Sequence, residues 1–369
     1  MKAKPIAIAC VSIALASSLA DAASYSFTDL GPGIATAINS SGQVVGHNSS
    51  NGFLYSNGNR ISLGNSFPSG INSAGLIVGD IAFPDPFSEA VATWANGVWT
   101  PLQNPIHPVF VGSYSSSSFS NSGNLINDSG EVTGSGQMIG GPASGSTFLY
   151  SSPLNVIDIG NVPNGTDPLP IAINNSGQIV GYTTIPNPTN PSQQIGVPFL
   201  YSQGVMSLIP QLEAQNGASG TAISGINDLG QIVGQIGFQP AQGVFNYHGF
   251  VFSGGSLTDI GALSGNASSI ALGINNHGVI VGLSSLPEHA VVYANGQMSD
   301  LNSLVINPVP GMTLTEARAV NDNGQIIGDA TAADGSAHAF LLTPVVPEPS
   351  SFILAIVGLA ALLGYRWRR

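Results

Sequence analysis

Lysine is missing from the body of this chain, and arginine nearly so. Of seven basic residues among 369, Lys2 and Lys4 stand at the N-terminus and Arg366, Arg368 and Arg369 at the C-terminus, which leaves Arg60 and Arg318 between them. From residue 23 to Val346 those two arginines face 17 carboxylates, a formal charge of −15. A surface of that sign repels phosphates, so no nucleic acid partner is expected, and anionic lipid headgroups are disfavoured in the same way. A body without lysine has no Schiff-base chemistry. Cysteine occurs once, as Cys10, so no intrachain disulfide can form. The sequence holds no Gly-x-Ser-x-Gly elbow, phosphate-binding glycine loop, Cys-x-x-Cys pair or His-Glu-x-x-His motif. Helical periodicity is absent from the body, which points to an all-β fold. Only 7% of residues are charged while 43% are apolar, so a core can form and disorder is disfavoured.

What is present is a repeat. The unit Ile/Val-Asn-x-x-Gly occurs seven times, with its corners at Asn39 and Gly42, Asn72 and Gly75, Asn127 and Gly130, Asn174 and Gly177, Asn227 and Gly230, Asn275 and Gly278, and Asn321 and Gly324. Asparagine at the first corner of a turn bonds its own backbone two residues on, and glycine at the fourth accepts positive φ. Successive asparagines lie 33, 55, 47, 53, 48 and 46 residues apart. Each turn is followed by a variable polar loop and then an apolar-aromatic strand, such as Phe53-Leu54-Tyr55, Phe199-Leu200-Tyr201 or Phe340-Leu341-Leu342. A tight turn (Asn57-Gly58, Asn96-Gly97, Asn295-Gly296) and a fourth strand often complete the unit.

Four short strands per unit is the pattern of a propeller blade, so the expected fold is a seven-bladed β-propeller over residues 23–344. The rival repeat fold, a β-helix, has shorter and more uniform coils. Two insertions, Gln103–Asn121 and Tyr182–Gly196, read as rim loops, where binding function resides. The last unit runs into Thr343-Pro344 without a fourth strand, whereas Tyr25–Leu30 precedes the first turn and looks like one. The two ends are therefore expected to pair and close the ring, since an open ring would expose a sheet edge.

The terminal segments read as addresses. Residues 1–22 have a basic start, an apolar run to about Leu19 and Ala20-Asp21-Ala22, which makes a secretory signal peptide cut before Ala23 by signal peptidase. Cys10 lies inside the apolar run, the wrong place for a lipoprotein. Residues 345–369 carry Pro347-Glu348-Pro349, an apolar run from Phe352 to Tyr365 and the basic end Arg366-Trp367-Arg368-Arg369. As a helix this run reaches only about 21 Å against a bilayer core of roughly 30 Å, so it makes a short and transient inner-membrane anchor. A plain single-pass anchor is the alternative.

This tail resembles the PEP-CTERM sorting signal of Gram-negative bacteria, with Pro347, Glu348 and Pro349 at its motif and Arg366, Arg368 and Arg369 at its basic end. The resemblance implies an exosortase-type protease as a processing partner and delivery to the cell surface or extracellular matrix. The body resembles the extracellular HAF-repeat family, whose His-Ala-Phe run appears fully as His338-Ala339-Phe340 and partly at His289-Ala290-Val291 and His248-Gly249-Phe250. That family implies a secreted repeat protein and no assigned activity.

Candidate chemistry is sparse. His248, His289 and His338 recur at one repeat position, and Asp29, Asp158, Asp259 and Asp300 at another. They could be ligands or acid–base pairs, but equivalent positions on different blades do not converge, and a His–Asp bond within a blade is the simpler role. The Asp-rich and Asn-rich turns, with Asp329 beyond the last, also admit calcium as the weaker reading, though no unit has an Asp-x-Asp-x-Asp-Gly spacing. No cofactor is called for. Two functions fit: a non-enzymatic surface or biofilm-matrix protein binding exopolysaccharide or surface proteins, or a glycan-active lyase or hydrolase with carboxylates at the propeller mouth.

Overall fold

A computed structural model describes residues 24–82, 89–102, 109–110, 124–138, 146–152, 155–209, 212, 221–241, 244–285 and 288–345. The expected leader with Ala20, Ala22 and Ala23, and the tail from Pro347 with its short helix, lie outside the described residues. Within them the chain is a seven-bladed β-propeller of four-stranded antiparallel blades.

The chain begins with β1 (Ser24–Pro32) and then builds six blades in order. Blade 1 holds β2 (Ile34–Ile38), β3 (Val44–His47), β4 (Gly52–Ser56) and β5 (Asn59–Gly64). Blade 2 holds β6 (Ser66–Ile71), β7 (Ile77–Ala82), β8 (Glu89–Ala95) and β9 (Val98–Pro101). Blade 3 holds β10 (Val109–Phe110), β11 (Val132–Met138), β12 (Ser146–Ser152) and β13 (Asn155–Asp158). Blade 4 holds β14 (Thr166–Ile173), β15 (Ile179–Asn187), β16 (Asn190–Ser202) and β17 (Val205–Leu208). Blade 5 holds β18 (Thr221–Ile226), β19 (Ile232–Ala241), β20 (Val244–Ser253) and β21 (Ser256–Gly261). Blade 6 holds β22 (Ser268–Ile274), β23 (Ile280–Ser285), β24 (His289–Ala294) and β25 (Gln297–Asp300). Blade 7 holds β26 (Thr313–Val320), β27 (Ile326–Thr331) and β28 (Ala337–Val345), and β1 returns as its fourth strand.

The closure joins the two ends residue by residue. Ser24 faces Val345, Phe27 faces Leu342, Asp29 faces Phe340 and Pro32 faces His338. Tyr25 also exchanges hydrogen bonds with the segment after blade 6, donating to Leu304 O (2.8 Å) and accepting from Ile306 N (3.0 Å).

Packing follows from one pairing repeated around the ring. Phe53, Phe148, Phe199, Phe250 and Phe340 on the third strands are fully buried. Each faces a glycine of the second strand, as in Gly46↔Phe53 and Gly181↔Phe199. A Cβ at Gly46 would overlap Ile34 O and the Phe53 ring, and one at Gly181 would overlap Leu169 O and the Phe199 ring. The glycine lets the inner strand and the aromatic ring approach one backbone from two sides. Neighbouring blades then share cores, as where Ala37, Val45, Leu54 and Leu63 of blade 1 meet Ile71 and Ile77 of blade 2.

Two expectations need correction. Tyr182–Gly196 is no rim loop. It forms the outer half of a long hairpin in which β15 and β16 pair from Ile179↔Tyr201 to Asn187↔Asn190. Its prolines are tolerated because the extension projects past the neighbouring blades, where an unpaired backbone group meets water. The Ser-rich insertion likewise contributes a strand, since Val109 and Phe110 pair with Met138 and Gln137. The inner edge of blade 3 is thus supplied in two pieces, β10 above and the Ile126–Val132 bridge below. Among the described residues no helix is long and apolar enough to cross a membrane.

Strand order sorts the connections onto two faces. First-to-second and third-to-fourth connections fall on one face, and all are tight turns among the described residues: the Asn-x-x-Gly corners, and the two-residue turns Asn57-Gly58, Asn96-Gly97, Gln203-Gly204, Gly254-Gly255 and Asn295-Gly296, all with positive φ. Second-to-third and blade-to-blade connections leave from the opposite face, which carries the variable segments and the extended hairpin, although the connection from blade 6 to blade 7 runs back along β1 to reach Tyr25.

Deleting residues 24–31 removes buried Tyr25 and Leu30 together with Phe27, which packs on the blade 7 core. At about 1.5–3 kcal/mol per buried apolar side chain, the loss rivals the roughly 5–15 kcal/mol that holds a protein folded. The deletion is expected to abolish the cooperative urea transition, while shortening the β15–β16 hairpin by residues 186–193 shifts its midpoint only slightly.

Candidate functional site

The innermost strands surround an axial cavity of about 210 Å³, lined from Thr36–Ser40 on blade 1 round to Ala319–Asp322 on blade 7. Six of these strands carry a β-bulge three residues before the turn asparagine, at Thr36, Ser69, Ile171, Ser224, Leu272 and Arg318. The extra residue bends the strand just before the turn.

The turn asparagines form a closed circle at the tight-turn end of this cavity. Nδ2 of Asn39 donates to Asn72 O (2.9 Å), Asn72 to Asn127 O (3.2 Å), Asn127 to Asn174 O (3.2 Å) and Asn174 to Asn227 O (2.9 Å). Asn227 continues to Asn275 O (2.9 Å), Asn275 to Asn321 O (3.0 Å) and Asn321 back to Asn39 O (2.9 Å). All seven are buried. Their remaining capacity is used locally: in Asn227, Nδ2 also donates to Gln231 Oε1 (2.8 Å), while Oδ1 accepts from Leu229 N (3.1 Å) and Gln231 N (2.9 Å). The sequence reading assigns these residues to turns alone. Their reach across blades leaves no trace in local spacing.

The residue after each of the last five asparagines makes a second tier at the mouth. Asp128, Asn175, Asp228, Asn276 and Asp322 alternate acid and amide, each accepting the preceding blade's backbone N–H at 2.8 Å. Asn276 Nδ2 donates to Asp228 Oδ2 (2.8 Å) and Asp322 Oδ2 (2.9 Å), and Asn175 Nδ2 bridges Asp128 (3.2 Å) and Asp228 (3.1 Å). The turn carboxylates offered to calcium on sequence grounds are therefore engaged by amide donors, Asp329 is engaged by Arg318, and among the described residues no group of three or more His, Cys, Asp or Glu is arranged to hold a metal ion.

The three histidines of the repeat do not converge. His248 Nδ1–H donates to Asp259 (2.9 Å), His289 to Asp300 (2.6 Å) and His338 to Asp29 (3.0 Å), each within its own blade between third and fourth strands. Asp158, at the same repeat position, accepts from Gly160 N (2.9 Å).

Sequence reasoning missed one cluster altogether. Arg318 joins two carboxylates that face each other across β26 and β27, Nη2 lying 3.1 Å from Glu316 Oε2 and 2.7 Å from Asp329 Oδ2. Asp329 Oδ1 accepts from Ala35 N of blade 1 (3.3 Å), so the cluster spans the seam between blade 7 and blade 1, beside the β1–β28 closure. At the outer rim of that seam Arg60 donates to Leu30 O and to Pro32 O (2.8 Å), with its guanidinium 3.8 Å over the Phe53 ring. Both body arginines are thus used at one blade junction. Burial raises the pKa of Glu316 and of Asp329, with Arg318 opposing it in each. Nearby His47, edge-on to Phe67 at 5.1 Å, is pushed down, by burial first and by the Arg318 charge.

Comparison with known proteins yields one family match. Residues 345–369 match the PEP-CTERM protein-sorting motif, a signal of an exported, surface-directed protein handled by exosortase-type machinery. No curated protein matches the chain by sequence. Among solved structures, it is similar to the β-propeller domain of the Trilobed protease from Pyrococcus furiosus, with 11% identity, a TM-score of 0.37, and coverage of 78% of this chain and 99% of that one. Porphyromonas gingivalis dipeptidyl peptidase 4 gives 11% identity, a TM-score of 0.41 and coverage of 85% and 53%. Trypanosoma rangeli sialidase in complex with the inhibitor DANA gives 10% identity, a TM-score of 0.39 and coverage of 90% and 60%.

Two outcomes are expected. Asn227→Ala leaves Leu229 N, Gln231 N and Asn275 O without side-chain partners, at a cost of about 2–4 kcal/mol. Asn227→Asp is expected to cost more at neutral pH, because a carboxylate oxygen then faces Asn275 O and Gln231 Oε1. Urea titration measures both.

The second concerns pH. His47 in the unfolded chain binds its proton near 6.5, before folded His47 does, so its contribution to stability is lost as pH falls through that value. Glu316 and Asp329 act with the opposite sign, taking up protons in the folded state first, so stability gains as pH falls through their raised values. His47→Gln should therefore lose less stability than the parent between about pH 7.5 and pH 5.5 (about one unit either side of the histidine value), as read from urea midpoints.

Proposed function

We propose that this is a non-enzymatic protein of the cell surface or extracellular matrix, built of HAF-type repeats, that binds neutral exopolysaccharide through its loop face. The sorting match at 345–369 supports the destination. The observation that carries the binding role is the β15–β16 extension, which projects an exposed, uncharged run from Pro188 to Gln194. Thr189, Asn190, Ser192, Gln193 and Gln194 offer hydroxyls and carboxamides, groups that pair with sugar hydroxyls, and they carry no charge to attract ions. The body charge of −15 disfavours anionic polymers and favours neutral ones. His338-Ala339-Phe340 lies on β28 with its histidine bonded to Asp29, which suits a repeat signature that holds third and fourth strands together.

One observation favours the enzymatic alternative. Glu316 and Asp329 are cross-strand partners that share the Arg318 guanidinium, a carboxylate pair of the kind glycosidases use, and burial raises the pKa of Glu316 in the direction of a general acid. Against it, Arg318 ties both, and Asp329 is fully used by Arg318 and Ala35 N.

A glycan array probed with residues 23–346, with reducing-end release assayed on every hit, separates the two. The expected result is retention of neutral glycans without release, lost when residues 186–193 are replaced by a two-residue turn. Release abolished by Glu316→Gln would establish the enzyme instead.

A further inference from the structure

We infer that the tight-turn face is turned towards the membrane while the tail still anchors the chain, so that the loop face is presented outward. The inference rests on the sorting reading above and deepens it by fixing which surface meets the partner.

It follows from where the ends leave the ring. In blade 7 the third-to-fourth connection is missing and the two chain ends take its place, Ser24 lying opposite Val345 at the tight-turn end of the β1–β28 pair. The side-chain contacts agree: a Cβ at Gly324, in the Asn321 turn, would meet Pro344 Cγ at 3.2 Å. The matched sorting motif begins at 345, on the last paired residue of β28. The leader's expected cut before Ala23 falls beside it.

Chain length forbids the opposite orientation. Residues 346–351 separate β28 from the apolar run that begins at Phe352. Six residues span at most about 20 Å when fully extended. The loop face stands one strand length from the exit point, and the nine residues of β28 measure about 30 Å. The linker therefore cannot carry the loop face to the bilayer. The tight-turn face suits a membrane-side position, being made of short turns with Leu304 and Ile306 beside them at blade 7, and Asp228 and Asp322 are tied to Asn276.

Because Cys10 is the one cysteine and lies in the leader, single cysteines can be placed on a silent body. The test uses the full-length chain carrying Cys10→Ser, held in membrane vesicles, with Gln193→Cys on the loop face and Val205→Cys or Leu229→Cys on the tight-turn face. Val205 and Leu229 are 64% and 69% exposed, so neither is hidden by the fold itself. Each is labelled with a maleimide attached to a bulky polymer. The expected result is labelling of the Val205→Cys and Leu229→Cys chains several-fold slower than the Gln193→Cys chain, with the difference vanishing after detergent release. Equal rates on the vesicle, in a chain whose membrane association is lost on deleting residues 346–369, overturn the orientation and leave the sorting reading standing. A full-length chain that does not associate with the vesicles overturns both.

Discussion

The circle of seven asparagine side chains is the constraint on which the ring depends. A propeller is a set of sheets whose neighbours touch mainly through apolar faces, and apolar contact alone does not fix how many blades meet on the axis. In Asn227 the carboxamide gives one proton to the next turn and one to its own and accepts two backbone N–H groups, which fixes the angle between its blade and the next. Seven such links return to their start. The chemistry is specific to asparagine: aspartate lacks the donors, and glutamine is one methylene too long to close the local turn.

A ring built from one chain also has one junction unlike the rest, because there continuity is replaced by pairing. Here that place is the β1–β28 pair inside blade 7, and both arginines of the body stand at the neighbouring junction of blade 7 with blade 1. Arg318 and Asp329 tie the inner strand of blade 7 to Ala35, and Arg60 grips the carbonyls at the end of β1 from blade 1. Elsewhere similar junctions are held by hydroxyls, as where Thr36 Oγ1 donates to Pro68 O at 2.8 Å. Charge-assisted bonds are the stronger kind, and the chain places them beside the blade that is closed by strand pairing, at its junction with blade 1.

Much of this was legible beforehand. The Asn-x-x-Gly turns, the aromatic third strands and the incomplete last unit lead to seven blades and to Tyr25–Leu30 as the closing strand, because each is a local signal or a simple count. What escaped was of two kinds. Contacts between repeats, such as Asn227 with Asn275 or Asp228 with Asn276, join residues 48 apart whose local roles already explain them. Glu316, Arg318 and Asp329 sit in no motif and meet only through the register of β26 and β27. The prolines of Tyr182–Gly196 misled for a physical reason, since proline forbids a central strand position but is harmless in a hairpin that stands clear of its neighbours.

The position of β28 within blade 7 bears on how the molecule takes load. It is the third strand, hydrogen-bonded to β27 on one side and β1 on the other. Tension entering at Val345 runs along this strand, so the ladder bonds on both flanks resist together in shear and cannot be peeled one after another. Drag on a polymer held at the loop face would be carried through the ring to that strand, along the direction in which a sheet is mechanically strongest.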